Sequence, residues 1–100
     1  MQEYNVRIFP AAQHDAMLIA GHLSALEPSD ASLYYEHLME CLGMLKTSPK
    51  SCPIARDVQL RYKGYRTLTV NDFVFFFIVG EGTVEIRRII HAKRQYEHMA

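Results

Sequence analysis

The chain has 100 residues, 49% of them hydrophobic and 11% aromatic, with 11 basic side chains balancing 11 acidic ones. That composition, free of any low-complexity tract, excludes a disordered or fibrous chain. A chain of this length buries only ~60–70% of its unfolded surface and supports one core, so a single domain over residues 1–100 is expected.

The start, MQEYNVRIFP, lacks a basic-then-apolar signal pattern, and the longest apolar run, Phe73–Val79, is far too short for a membrane span. A cytoplasmic protein with no membrane partner is the resulting expectation. Cys41 and Cys52 have no spacing typical of zinc or a redox pair and read as free thiols. The neutral total hides an asymmetry. Residues 1–55 set Arg7, Lys46 and Lys50 against six acids, whereas residues 56–100 set Arg56, Arg61, Lys63, Arg66, Arg87, Arg88, Lys93 and Arg94 against five. A basic half suits an anionic partner or an acidic protein surface, although scattered cations are commonly just solvated.

In chain order, residues 4–8 (YNVRI) alternate apolar and polar side chains and predict a strand, with Pro10 opening the next helix. Ala12, Ala16, Ile19, Leu23 and Leu26 recur at steps of four and three, a helical stripe running to about Glu27-Pro28. Ser29 or Asp30 is the expected cap of a second helix, whose Tyr34, Leu38, Cys41, Leu42 and Leu45 form one stripe. The two make a helical hairpin. Residues 47–56, with Pro49 and Pro53 among serines, read as an exposed connector.

From Arg61 onward the period changes to two: Arg66, Leu68 and Val70 alternate with Tyr65, Thr67 and Thr69, and Asn71-Asp72 supplies a tight turn. Phe73–Val79 is apolar on both parities, which predicts a strand covered on both faces. Gly80-Glu81-Gly82 turns the chain into a fourth strand, Thr83–His91, where Arg87 and Arg88 interrupt the alternation and suggest a bulge. The order strand, helix, helix, three strands predicts an α+β domain with a mainly antiparallel four-stranded sheet and the hairpin on one face. Val6, Ile8, Leu68, Phe75, Phe77, Ile86 and Ile89 are expected to be buried, with Ile19, Leu23, Leu38 and Leu42 packed on them. The second face of the Phe73–Val79 strand then needs a cover, which a partner chain or a second copy of this chain would supply.

Residues 63–99 (KGYRTLTVNDFVFFFIVGEGTVEIRRIIHAKRQYEHM) resemble the carboxy-terminal half of RelE/ParE-superfamily toxins, where GYR, an aromatic-rich strand, a turn, a strand and a Lys/Arg-Arg-x-Tyr ending follow in order. The resemblance implies the toxin of a type II toxin–antitoxin, or plasmid-stabilisation, module that arrests growth while an antitoxin protein holds it in check. Two targets occur on this scaffold, so the fold does not choose between them. A ribosome-dependent messenger-RNA endonuclease, acting on ribosome and mRNA without a metal or other cofactor, is the first reading. A DNA gyrase inhibitor is the alternative, and a non-toxic interaction module is a third.

Metal-independent RNA cleavage needs a group to deprotonate the ribose 2′-hydroxyl, one to protonate the leaving oxygen, and cations to stabilise phosphate charge. Arg66, His91, Arg94 and Tyr96 are the catalytic candidates, and Arg61, Lys63, Arg88 and Lys93 the candidates for binding nucleic acid or another target. Singly, each has a plainer reading: Arg66 paired with a surface acid, Lys93 and Arg94 as a solvated tail, His91 as a strand-end polar residue and Tyr96 packed back on the sheet. Arg66, Lys93 and Arg94 are expected to share one end of the sheet, and Arg66→Ala to leave stability unchanged. His14, His22, His37 and His98 have no metal-ligand pairing. Where nuclease-type relatives carry an arginine early in the third strand, this chain has Val74, which cannot stabilise a phosphorane and weakens the nuclease reading.

Overall fold

The computed structural model describes residues 3–25 and 27–91, except the side chains of His22 and Leu23. The chain folds as β1 (Asn5–Ile8), α1 (Pro10–Leu23), α2 (Pro28–Thr47), a 3-10 turn (Pro49–Ser51), α3 (Val58–Tyr62), β2 (Tyr65–Val70), β3 (Phe73–Val79) and β4 (Thr83–His91). The sheet order is β1-β4-β3-β2, with β1 parallel to β4 and the other pairs antiparallel. This is the expected α+β architecture.

Local chemistry sets the boundaries. The helix α2 begins at Pro28, not after Ser29 or Asp30: proline fits the first helical position because its missing N–H needs no partner there, and the Glu27 side chain adds no cap bond. The Tyr4 N–H donates to the Lys46 carbonyl at 2.7 Å, tying the start of β1 to the end of α2. Val70 pairs with Phe73, so Asn71-Asp72 is a two-residue turn, with Asn71 in the left-handed region at φ 54°. Asparagine tolerates that conformation better than most residues.

The helix α3 departs from the sequence reading, which ran from connector straight to strand. Asp57 caps it by accepting from the N–H groups of Gln59 at 3.0 Å and Leu60 at 3.1 Å. Gly64, at φ +88°, terminates it. One turn of helix leaves no periodicity to detect; only the cap marks it.

Sheet parity divides the core into two layers. Phe73, Phe75 and Phe77 face the hairpin and join Ala12, Leu45, Val84, Ile86 and Ile89, with Ile19, Leu38 and Leu42 packed alongside. Phe76 lies on the other face among Ala55, Leu60 and Tyr65. The double apolar parity of β3 therefore reports two covered faces, as expected. The cover over Phe76 is the chain's own connector and α3, not a partner or a second copy, and it leaves Phe76 only 1% exposed.

Three expected core residues are less buried than anticipated: Val6 and Leu68 are half-buried and Ile8 is exposed. All three sit on the edge strands β1 and β2, which have one neighbour instead of two. In α1 the inward position between Ala12 and Ile19 is taken by Asp15, while Ala16 faces solvent. Leu26 and the Leu23 side chain lie outside the described residues. The expected bulge is present. Phe76 pairs with Arg88 and Phe77 with Ile86, leaving Arg87 as the extra residue of β4.

Candidate functional site

The amino-terminal end of β2 holds Arg66, half-buried against the connector. Its Nη1 donates to the carbonyls of Cys52 at 2.7 Å and Lys50 at 3.2 Å. The connector itself pairs with β2: Ile54 bridges to Arg66, the Ala55 N–H donates to the Tyr65 carbonyl, and the Thr67 N–H to the Pro53 carbonyl. It thus shields an edge strand that would otherwise be open to unwanted pairing. Arg66 is the clasp of that arrangement rather than a residue paired with a surface acid. Hydrogen bonds from a charged donor contribute more than neutral ones, so Arg66→Ala is expected to cost about 1–2 kcal/mol, a fall in Tm of roughly 5–15 °C. This revises the sequence expectation of unchanged stability, and an unchanged melting curve would refute the clasp.

His91 ends β4 at the far end of the sheet. It pairs with Phe73, whereas Arg66 pairs with Phe77, four residues or ~13 Å further along β3. Because β2 and β4 run in the same direction on either side of β3, the start of one and the end of the other lie at opposite ends. The expected convergence of Arg66 with the end of β4 is therefore not found for His91. The His91 ring instead stands edge-on to Phe73 at 5.4 Å, and Phe73 in turn meets Tyr34 at 6.3 Å. Lys93, Arg94 and Tyr96 lie outside the described residues.

Arg88 is engaged in an ion pair that sequence reasoning missed. Its Nε donates to Asp15 Oδ2 at 2.7 Å and its Nη2 to Oδ1 at 3.1 Å, and the Ile89 N–H donates to the same Oδ2 at 2.9 Å. The strand β1 ends at Ile8, opposite Ile86, so β4 continues past its neighbour. The Asp15 carboxylate takes the place of the absent strand partner for Ile89. Burial alone would push the Asp15 carboxyl up, yet the hydrogen bonds from Arg88 and Ile89 and the Arg88 charge together hold it below its ordinary value. The signal available in the sequence was positional: Asp15 lies three residues after Ala12 and four before Ile19, inside the apolar stripe.

The neighbouring Arg87 bonds Glu85 at 2.7 Å and lies over the Phe9 ring, 4.3 Å from its centroid. Val74 is half-buried and packs beside Phe76. Arg61 and Lys63, by contrast, are exposed around α3, as is Arg56 just before it. Among the described residues none of these three makes an ion pair, and Arg61 donates only to the Arg56 carbonyl, at 3.2 Å. Exposed apolar side chains gather on the hairpin, at Met17, Leu18, Leu33 and Met39, and on α3, at Val58 and Tyr62.

Cys41 and Cys52 are free, and burial pushes both thiols up, away from the reactive thiolate form. Among the described residues no group of three or more His, Cys, Asp or Glu side chains could hold a metal, and no helix is long and apolar enough to cross a membrane.

Two solved structures share this architecture. The chromosomal ParDE toxin–antitoxin system from P. aeruginosa contains a chain 20% identical, matched over 90% of this chain and 97% of that one with a TM-score of 0.68. The toxin–antitoxin complex RelBE2 from Mycobacterium tuberculosis contains one 22% identical, matched over 93% and 97% with a TM-score of 0.60. No curated protein matches the chain. Strand, helical hairpin and three-stranded meander are thus a fold that this chain shares with both. The chain belongs to the ParE toxin family of type II toxin–antitoxin systems, whose profile matches residues 6–96, and so to the RelE/ParE superfamily of toxins.

Proposed function

We propose that this toxin arrests growth by binding a protein target, DNA gyrase, and not by cutting messenger RNA. The observation that carries the reading is the match to the ParE toxin family over residues 6–96. Three features of the nuclease candidates support it. Arg66 holds the connector, Arg88 holds Asp15, and Val74 stands where cleavage would call for a cation. On this reading Lys93 and Arg94, which follow β4 in the sequence, are interface residues.

The partner in the resting cell is an antitoxin, since both structural neighbours belong to toxin–antitoxin systems. The sheet needs no such cover over Phe76, so the surface left for an antitoxin is the outer side of the hairpin, with exposed Met17, Leu18, Leu33 and Met39.

Induced expression in a bacterium, followed by primer extension on its messenger RNA, tests the reading. Growth arrest with unaltered 5′ ends is expected. New 5′ ends appearing with the arrest would restore the endonuclease reading, and normal growth would leave a non-toxic interaction module.

A further inference from the structure

The outer face of α3 combines four observations that the fold does not require. Val58 and Tyr62 stand one helical turn apart and are 72% and 91% exposed, while Leu60 between them points inward at 1%. Arg61 shares their outward face, three residues from Val58, and Arg56 and Lys63 flank the helix. The one acid within this stretch, Asp57, caps the helix through Oδ1 and forms no ion pair with the three cations among the described residues, so three positive charges against one negative leave the stretch net basic. The short helix is also anchored to the rest of the fold: by its cap, by Leu60 in the second core layer, and through the connector that Arg66 clasps to β2.

We propose that Val58, Arg61 and Tyr62, flanked by Arg56 and Lys63, form a preformed docking surface for a protein partner that presents carboxylates around an apolar pocket. The inference rests on the reading of the chain as a toxin with a protein target, and assigns that target a contact surface. Charge complementarity selects an acidic partner. The aliphatic member selects protein over nucleic acid: valine neither stacks on a base nor bonds a phosphate, whereas tyrosine and arginine are the residues that dominate protein interfaces when they enter a partner's pocket. The anchored backbone adds to the effect, because a segment already folded loses less entropy on binding than a loop that must first be ordered. The surface covers the sheet face opposite the hairpin, so a partner seated on α3 does not compete with one seated on Met17 or Met39.

The test uses the full chain with Tyr62→Ala, Arg61→Glu and Lys63→Glu, beside Tyr62→Phe and the hairpin variant Met39→Ser. All are exposed positions, so melting temperatures should stay within a few degrees of the parent. Growth arrest at matched protein level reads the surface independently of the target's identity. Tyr62→Ala and the double charge reversal are expected to relieve arrest, and Tyr62→Phe and Met39→Ser to retain it.

Binding to purified DNA gyrase is expected to weaken at least about tenfold for Tyr62→Ala, and the weakening of parent binding by added salt is expected to be lost in the charge-reversed chain. If the parent chain arrests growth without binding gyrase, the target is wrong, and the α3 surface stands or falls on the growth data alone. Full toxicity of both the Tyr62→Ala and the charge-reversed chains overturns it, as does a parent chain that is not toxic. Loss of binding to a single-stranded RNA probe, with toxicity tracking that loss and gyrase binding unchanged, overturns it in favour of nucleic acid.

Discussion

Phe76→Ala is expected to destabilise the chain by about 3–5 kcal/mol, the range for removing a large aromatic side chain from a closed core. Total stabilities of small domains are about 5–15 kcal/mol, so the variant should unfold near the bottom of a denaturant titration that the parent survives. The size of the effect follows from what surrounds the ring: it is 1% exposed, stands edge-on to Tyr65 at 6.5 Å, and is sealed by Ala55 and Leu60. Val74→Ala, on the same face but half-buried, should cost distinctly less. Equal, small costs at both positions would mean that the connector does not close this face and that another chain must.

Asp15→Ala is the second large expectation. It leaves the Ile89 N–H without its acceptor and Arg88 without its counterion. Breaking a fully buried pair from one side costs ~3–5 kcal/mol; the Arg88 side chain is 37% exposed and water screens part of the loss, so about 2–3 kcal/mol is expected here. Asp15→Asn keeps an acceptor and should lose less.

The pH dependence has a definite sign. The Asp15 carboxyl is held below its ordinary value of 3.8 in the folded chain, so the unfolded chain takes up the proton first. The stabilisation is fully present above the unfolded value, near 4, and is lost as pH falls through the lower folded value. Urea titrations of the parent and Asp15→Asn from pH 7 to pH 3 should therefore converge at the acid end. A gap that stays constant would show that Asp15 contributes packing or a neutral hydrogen bond, not an ion pair.

The elements that were legible in the sequence are those whose signal is local and repeated. The α2 stripe, the alternation of β2, the Asn71-Asp72 turn and the double parity of β3 each follow from several residues agreeing. Even the bulge could be read, because Arg87 and Arg88 together break a period of two. What escaped depends on contacts distant in sequence. Asp15 meets Arg88 across 73 positions, and in the sequence it is one charge on an amphipathic helix. Arg66 sits in a motif that a family resemblance marks as functional, and only the carbonyls of Lys50 and Cys52 reveal that it also builds the fold. The single turn of α3 was too short for any period, yet it covers the second face and carries the most exposed tyrosine among the described residues. The separation of Arg66 from His91 follows from the topology: β2 and β4 flank β3 and run the same way, so the start of one and the end of the other lie at opposite ends of the sheet.

Toxicity through a protein target is tested most directly with purified DNA gyrase and relaxed plasmid, measuring supercoiling as the toxin is titrated. Inhibition that is relieved by Tyr62→Ala and Arg61→Glu but not by Met39→Ser is the expected result; supercoiling unimpaired at a large excess of well-folded toxin would contradict it.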